Sequence, residues 1–144
     1  MAPDGSVRDT TLTALRHGLV HRSADEFVVG VVCHPPSALR AVVDECEPAL
    51  APPAEVLETF ERRCEAFKRG GLCDEGAHNA AWEDVGVDDR YRDLLETDPG
   101  ASDALDRLRD RLEAGQSLLL VGDEPSENRR SHRTILRERL ERVE

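Results

Sequence analysis

Aromatic residues are scarce in this chain: three Phe, one Trp and one Tyr in 144 positions. Its core must therefore be built from Leu, Val and Ala rather than from large rings. Lysine is nearly missing as well. Lys68 stands alone beside eighteen Arg, and thirty Asp and Glu bring the net charge to −11. That acidity, with no basic stretch interleaved with aromatics, argues against nucleic acid as a partner. No apolar run reaches the roughly 18 residues that would suggest a membrane span, and Met1 to Ser6 is polar where a secretory signal would be apolar. A cytoplasmic protein is expected. Cys33, Cys46, Cys64 and Cys73 form no C-x-x-C pair, so they read as reduced thiols. Cys73 and His78 lie five apart but lack further ligands at zinc spacing, so neither a metal nor a cofactor is expected.

What is present suffices for one domain, burying roughly 70% of its unfolded surface. Counting Gly and leaving out Tyr, apolar residues make up about 45% of the chain, an ordinary globular share. The acid excess and the lack of Lys fit a protein kept soluble in multimolar salt, where a Debye length of about 3 Å mutes carboxylate repulsion. A GC-rich genome would also favour Arg over Lys. Residues 1–6 are expected to form a disordered tail and residues 7–144 a single α/β domain; oligomeric state is not legible.

Two segments read as strands. Glu26 to Cys33 (EFVVGVVC) and Ser117 to Val121 (SLLLV) are apolar on both faces, as in a parallel sheet covered on two sides. Helical signals occur at Thr10 to Arg16, from Ser37 through Cys46, at Ala54 to Arg69, after Asp88, from about Ser102, and from about Ser131. The Ala54 to Arg69 segment is the clearest, with Val56, Leu57, Phe60, Cys64 and Phe67 on one face. CDEGAHNAAWED reads as a loop with room for a helical turn around Trp82. The expected fold is α/β, a small parallel or mixed sheet covered by helices in a three-layer, Rossmann-like arrangement. Two strands cannot make that sheet, and further ones are sought near Leu19 to His21 or Gly71 to Cys73.

In such folds, ligands bind beyond the carboxyl ends of the strands. The first strand delivers His34 and Ser37 there. The second delivers Asp123 and Glu124, then Ser131, His132 and Arg133 at the start of the last helix. A helix start with a hydroxyl and a guanidinium can hold a phosphate or carboxylate, so a small anionic ligand is expected at Ser131 and Arg133. Glu124, His132 and His34 are the candidate acid/base groups. His78, Asn79 and Trp82 could orient and stack a planar ligand, or His78 could cap a turn while Trp82 plugs the core edge. Between Arg129 and Arg142 lie six Arg and two Glu. For Arg137, Arg139 and Arg142 the expectation is a solvated face paired with acids. Cys33, at the end of a buried strand, reads as packed rather than reactive.

Three stretches, Gly30 to Pro53, Gly70 to Leu95 and Ser117 to Leu140, resemble the Domain of Unknown Function 488 family, in particular its haloarchaeal members. The most specific is SLLLVGDEPSENRRSHRTILRERL, because that family typically shows a strand, then Cys-x-Glu, then Cys-His-Arg opening a helix. The resemblance implies a compact α/β fold and no established activity. Glu124, His132 and Arg133 stand at the family's Glu and His-Arg positions, while Gly122 and Ser131 replace its two cysteines. Cys33 or His34 falls where many members carry an Arg. Two readings follow. The first is a domain that binds or acts on a phosphate-bearing or nucleotide-like molecule at the loop into the last helix. The second is a degenerate, non-catalytic member that works as a protein-interaction module.

Overall fold

A computed structural model describes residues 5–123 and 130–141. The elements run β1 (Val7–Thr11), α1 (Leu12–Arg16), β2 (Glu26–Gly30), α2 (Ser37–Arg40), β3 (Glu45–Cys46) and a 3-10 turn (Pro48–Leu50). They continue with α3 (Ala54–Arg69), α4 (Asp74–Val85), α5 (Val87–Thr97), α6 (Pro99–Glu113), β4 (Ser117–Gly122) and α7 (Arg133–Glu141). The strands form one four-stranded, all-parallel sheet in the order β1-β4-β2-β3. It is an α/β, Rossmann-like fold.

The central strands β2 and β4 are the two apolar runs. Alternate residues of each point to opposite faces, so a strand covered on both sides must be apolar throughout. Val29, Leu118 and Leu120 join Tyr91, Leu95, Leu105, Leu108, Ile135 and Leu136 in one core, under α5, α6 and α7. Val28, Leu119 and Val121 join Leu39 in a second, smaller core, with Leu12 and Leu15 of α1 packed against it. A third cluster holds α3 and α4 together through Val56, Phe60, Ala81 and Trp82, with Val87 at the start of α5.

The missing strands are not where the sequence pattern placed them. Leu19 to His21 and Gly71 to Cys73 are irregular connections, whereas the edge positions are taken by Val7–Thr11 and Glu45–Cys46. Thr10 and Thr11, expected to begin a helix, belong to β1, and Thr11 caps α1 by accepting a hydrogen bond from the Ala14 amide at 3.0 Å. Ser6, in the expected tail, is joined to β4: its carbonyl accepts from the Leu118 amide at 2.8 Å. The helix at Ser37 lasts only four residues, and Pro36 is its N-cap in place of Ser37. Val42, Val43 and Cys46 lie beyond it.

The largest departure is CDEGAHNAAWED, which forms most of α4, a 12-residue helix. Cys73 caps it through Sγ, which accepts from the Gly76 amide at 3.3 Å, and Asp74 and Glu75 occupy its first turn, where the helix dipole favours acids. Gly86 ends it at φ +71°, a left-handed conformation open to glycine at little cost. Likewise, α6 starts at Pro99 rather than near Ser102, because Asp98 caps it with a 2.9 Å bond from the Ala101 amide.

Topology sets where a ligand can enter. The chain leaves β1 and β2 toward the face covered by α1 and α2, and α7, after β4, packs on the opposite face. Between β2 and β4 the two exits diverge, and a crevice opens at their carboxyl ends.

Candidate functional site

That crevice holds a cleft of about 360 Å³, within the size range of small-molecule sites. Cys33 and His34 border it after β2, Ala51 and Pro52 after β3, Asp123 after β4, and His132 just before α7. The opposite wall is the α3–α4 hairpin. Leu57, Phe60 and Glu61 approach from one face of α3, at spacing i, i+3 and i+4, and His78 and Trp82 from one face of α4, at i and i+4.

Three aromatic rings shape this wall. His78 and Trp82 lie nearly parallel, 11° apart with centroids at 5.8 Å. The Phe60 ring meets both edge-on, at 4.9 and 5.5 Å. Such offset and edge-to-face pairs are the arrangements that ring quadrupoles favour. Trp82 also belongs to the α3–α4 core, and its Nε1 donates to Asp88 Oδ1 at 2.6 Å, which fixes the plane of the indole.

The two buried histidines have defined proton positions. His78 Nε2 lies 2.8 Å from the Arg130 carbonyl oxygen and His132 Nε2 lies 2.7 Å from the Val31 carbonyl oxygen. A carbonyl only accepts, so in both rings Nε2 carries a proton and Nδ1 is the acceptor of the neutral form. His132 rests edge-on against Tyr91, whose ring lies 5.1 Å away and whose hydroxyl donates to the Leu50 carbonyl at 2.6 Å. Burial pushes the Tyr91 phenol well above its ordinary range. His34 differs from these two in being exposed on the cleft.

Arg130 connects α4 to the start of α7. Its amide donates to Asn79 Oδ1 at 2.9 Å, its carbonyl accepts from His78, and its guanidinium pairs with Asp88 at 2.8 Å and Glu83 at 3.7 Å. Asn79 thus orients the main chain rather than lining the cleft. His78 sits inside α4 and does not cap a turn.

The expected anion site is arranged differently from its sequence reading. Arg133 is 2% exposed, its Nη1 donates to Asp9 Oδ1 of β1 at 2.9 Å, and its amide and Nε both donate to Ser131 Oγ. Neither Arg133 nor Ser131 borders the cleft; they lock the first turn of α7 to the sheet edge. Ser37, exposed on α2, also lies off the cleft, and Glu124 lies outside the described residues. The basic face of α7 is paired as expected, Arg137 with Asp9 and Glu141 and Arg139 with Glu96. Arg142 lies outside the described residues.

Of the residues singled out in the sequence, the structure therefore gathers His34, His78, Trp82 and His132 at one cleft. Sequence reasoning missed Phe60, Glu61, Asp88 and Arg130 as parts of the site. Cys33 was expected at the end of a packed strand, but β2 stops at Gly30 and Cys33 is half-buried on the cleft. Phe60 and Leu57 carried a signal that core packing alone explained, and nothing in the spacing tied α3 to a site. Among the described residues no group of three or more His, Cys, Asp or Glu side chains could hold a metal ion, and no helix is long and apolar enough to cross a membrane. Compared with protein-family models, with curated proteins and with solved structures, the chain matches none.

Proposed function

We propose that this protein binds a small nucleotide-like molecule, taking its planar part into the cleft between β2, β4 and the α3–α4 hairpin. The observation that carries this reading is convergence. His34 and His132, 98 positions apart in the chain, border one cleft with His78 and the only Trp, at the sheet end where α/β folds bind ligands. Phe60 and Trp82, almost wholly packed into the α3–α4 core, border the cleft with apolar atoms, while the imidazoles and carboxylates supply a few polar groups to orient a ligand. His34, exposed there, is the group placed to exchange a proton with a bound molecule. A phosphate, where the ligand has one, is not held by Arg133, which is committed to Asp9. The reading also fits a divergent relative of the Domain of Unknown Function 488 group that keeps His132 and carries Ser131 in place of a thiol.

The rival reading, a protein-interaction module, calls for an exposed apolar patch in place of a polar pocket. Leu19 and Leu72 are the exposed large apolar side chains of the described surface, and they lie on separate connections.

Trp82 is a built-in reporter. Nucleobases, nucleosides and nucleotides are titrated against wild type and His34→Ala, reading tryptophan fluorescence and thermal unfolding. A ligand at 100 times its Kd is expected to add about 2.7 kcal/mol of stability, with a saturable fluorescence change and weaker binding in the variant. If no compound moves either signal, the cleft is not a site for this class of molecule.

A further inference from the structure

The α3–α4 hairpin is built apart from the sheet it covers. Among the described residues, the two sheet cores contain no side chain of α3 or α4. Those helices pack on each other, and beyond them their cluster takes in Val87. Where the hairpin faces the sheet, the cleft of about 360 Å³ lies between the two. Atoms that border a cleft lack close-packed partners on that side, so parting the hairpin from the sheet there gives up little dispersion energy. The apolar interior of the hairpin would travel with it.

Both ends of the hairpin suit a pivot. Pro52 and Pro53 lead into α3 and have no amide N–H, so neither donates a main-chain bond to the sheet. Gly86, between α4 and α5, stands at φ +71° with nothing within 4 Å of where a side chain would begin. Hinges are a few residues at element ends that absorb a change in φ and ψ. Val87 directly follows Gly86, so it sits at the pivot, where a rotation displaces it least.

Away from the pivots the hold is polar and centres on Arg130. Its amide donates to Asn79 Oδ1 at 2.9 Å and its carbonyl accepts from His78 Nε2 at 2.8 Å, both on α4. Its guanidinium reaches Glu83 of α4 at 3.7 Å and Asp88 of α5 at 2.8 Å. The Arg130 side chain is 42% exposed and that of Glu83 81%, so water competes for these pairs and each is weak. A few such bonds fix a position firmly, yet break at low cost.

We propose that the α3–α4 hairpin is a lid that swings as one body about Pro52–Pro53 and Gly86, and that Arg130 is the latch holding it over the cleft. Arg130 lies two positions before His132, which borders the cleft, so the latch is anchored beside the space that the lid covers. The motion belongs to the fold without ligand, and it stands or falls apart from what the cleft binds.

Nitrogen relaxation dispersion on the ligand-free protein tests it, since hinge motions fall in the microsecond-to-millisecond range. Trp82, the only tryptophan, gives a single indole N–H signal on the lid, and its bond to Asp88 crosses the Gly86 pivot. The indole and the amides of α3 and α4 are expected to exchange with one common rate constant while the amides of β2 and β4 stay flat. Arg130→Ala keeps both main-chain bonds and removes the two ion pairs. The ratio of open to closed lid is expected to rise about two- to fivefold in this variant, the range for exposed pairs. Different rate constants for α3 and α4, exchange that extends into the strands, or flat profiles in both proteins overturn the lid. An unchanged ratio in the variant overturns the latch. Titration with the nucleobase panel is read separately, so its failure leaves the lid in place.

Discussion

Tyr91 is the only tyrosine in the chain, and it sits fully buried between the Leu50 carbonyl and the His132 ring. Its phenol is neutral in the fold because burial disfavours the phenolate, so its ionisation is pushed far above the ordinary value of 10.0. The sign of the linkage follows. In the unfolded chain the group ionises near 10, in the folded chain it does not, so folded stability is fully present below that pH and falls as pH rises above it. Spectrophotometric titration at the phenolate band is expected to show no transition near pH 10 while the fold persists, and a single step coincident with unfolding. An independent native titration near 10 would mean that the ring is not packed as described. The same residue shows what a sequence reveals at this scale. Tyr91 is legible as core because Leu94 and Leu95 follow it in a helical pattern, but its support of His132 joins positions 41 apart and has no local signature.

At the scale of elements, the junction between α7 and β1 is the most consequential contact. Arg133 and Arg137, one turn apart on α7, both reach Asp9 on the edge strand. Arg133→Ala removes a buried partner, leaves Asp9 with only the exposed Arg137, and deprives Ser131 Oγ of its Nε donor while the backbone amide at position 133 remains. A loss of about 3 kcal/mol is expected, at the lower end of what breaking buried pairs costs, and denaturant unfolding measures it as a drop in midpoint at unchanged slope. A loss within about 0.5 kcal/mol, as for ordinary surface positions, would show that Arg133 is not structural and return it to the list of ligand donors. The element scale is also where sequence reading fared unevenly. Ala54–Arg69 matches the expected helix to the residue, because Pro53, a clean apolar stripe and Gly70 mark it on every side. β1 carries little local signal, because VRDTT has one large apolar residue. An edge strand needs only one apolar face, and its Asp9 is satisfied by arginines more than 120 positions away. The α4 segment read as a loop because Gly76, Asn79 and flanking acids weaken its helical pattern. The signals for a helix were nonetheless there, in the acids at its start, the alanines at 77, 80 and 81, and Gly86 at its end.

For the molecule as a whole, the acid excess lies on the surface, and much of the Arg complement is drawn into ion pairs with it. Arg8 holds the buried Glu26 with two hydrogen bonds across the central strand, at 2.7 and 2.8 Å, and these keep that carboxyl below its usual range. Most other pairs are exposed and individually weak. Adaptation to multimolar salt, proposed from the composition, carries a test. Between about 0.1 and 3 M potassium chloride the Tm is expected to keep rising, by roughly 2–4 °C for each kcal/mol gained in a chain of this size. An ordinary acidic protein would level off once its Debye length falls below the spacing of its charges, at a few tenths molar. A plateau there would overturn the proposal.

By itself the sequence determined the fold class, the two central strands, the best helix and the end of the sheet at which to look for a site. Each of these rests on local information, namely periodicity, strand apolarity and capping, which neighbouring residues encode together. Only the tertiary structure decided which polar groups face the cleft and which are used up inside the fold. Ser131 and Arg133 read as an anion site until Asp9 is brought beside them, and CDEGAHNAAW reads as a loop until α3 covers it. Partners far apart in the chain meet through burial, and one sequence carries no local trace of those meetings.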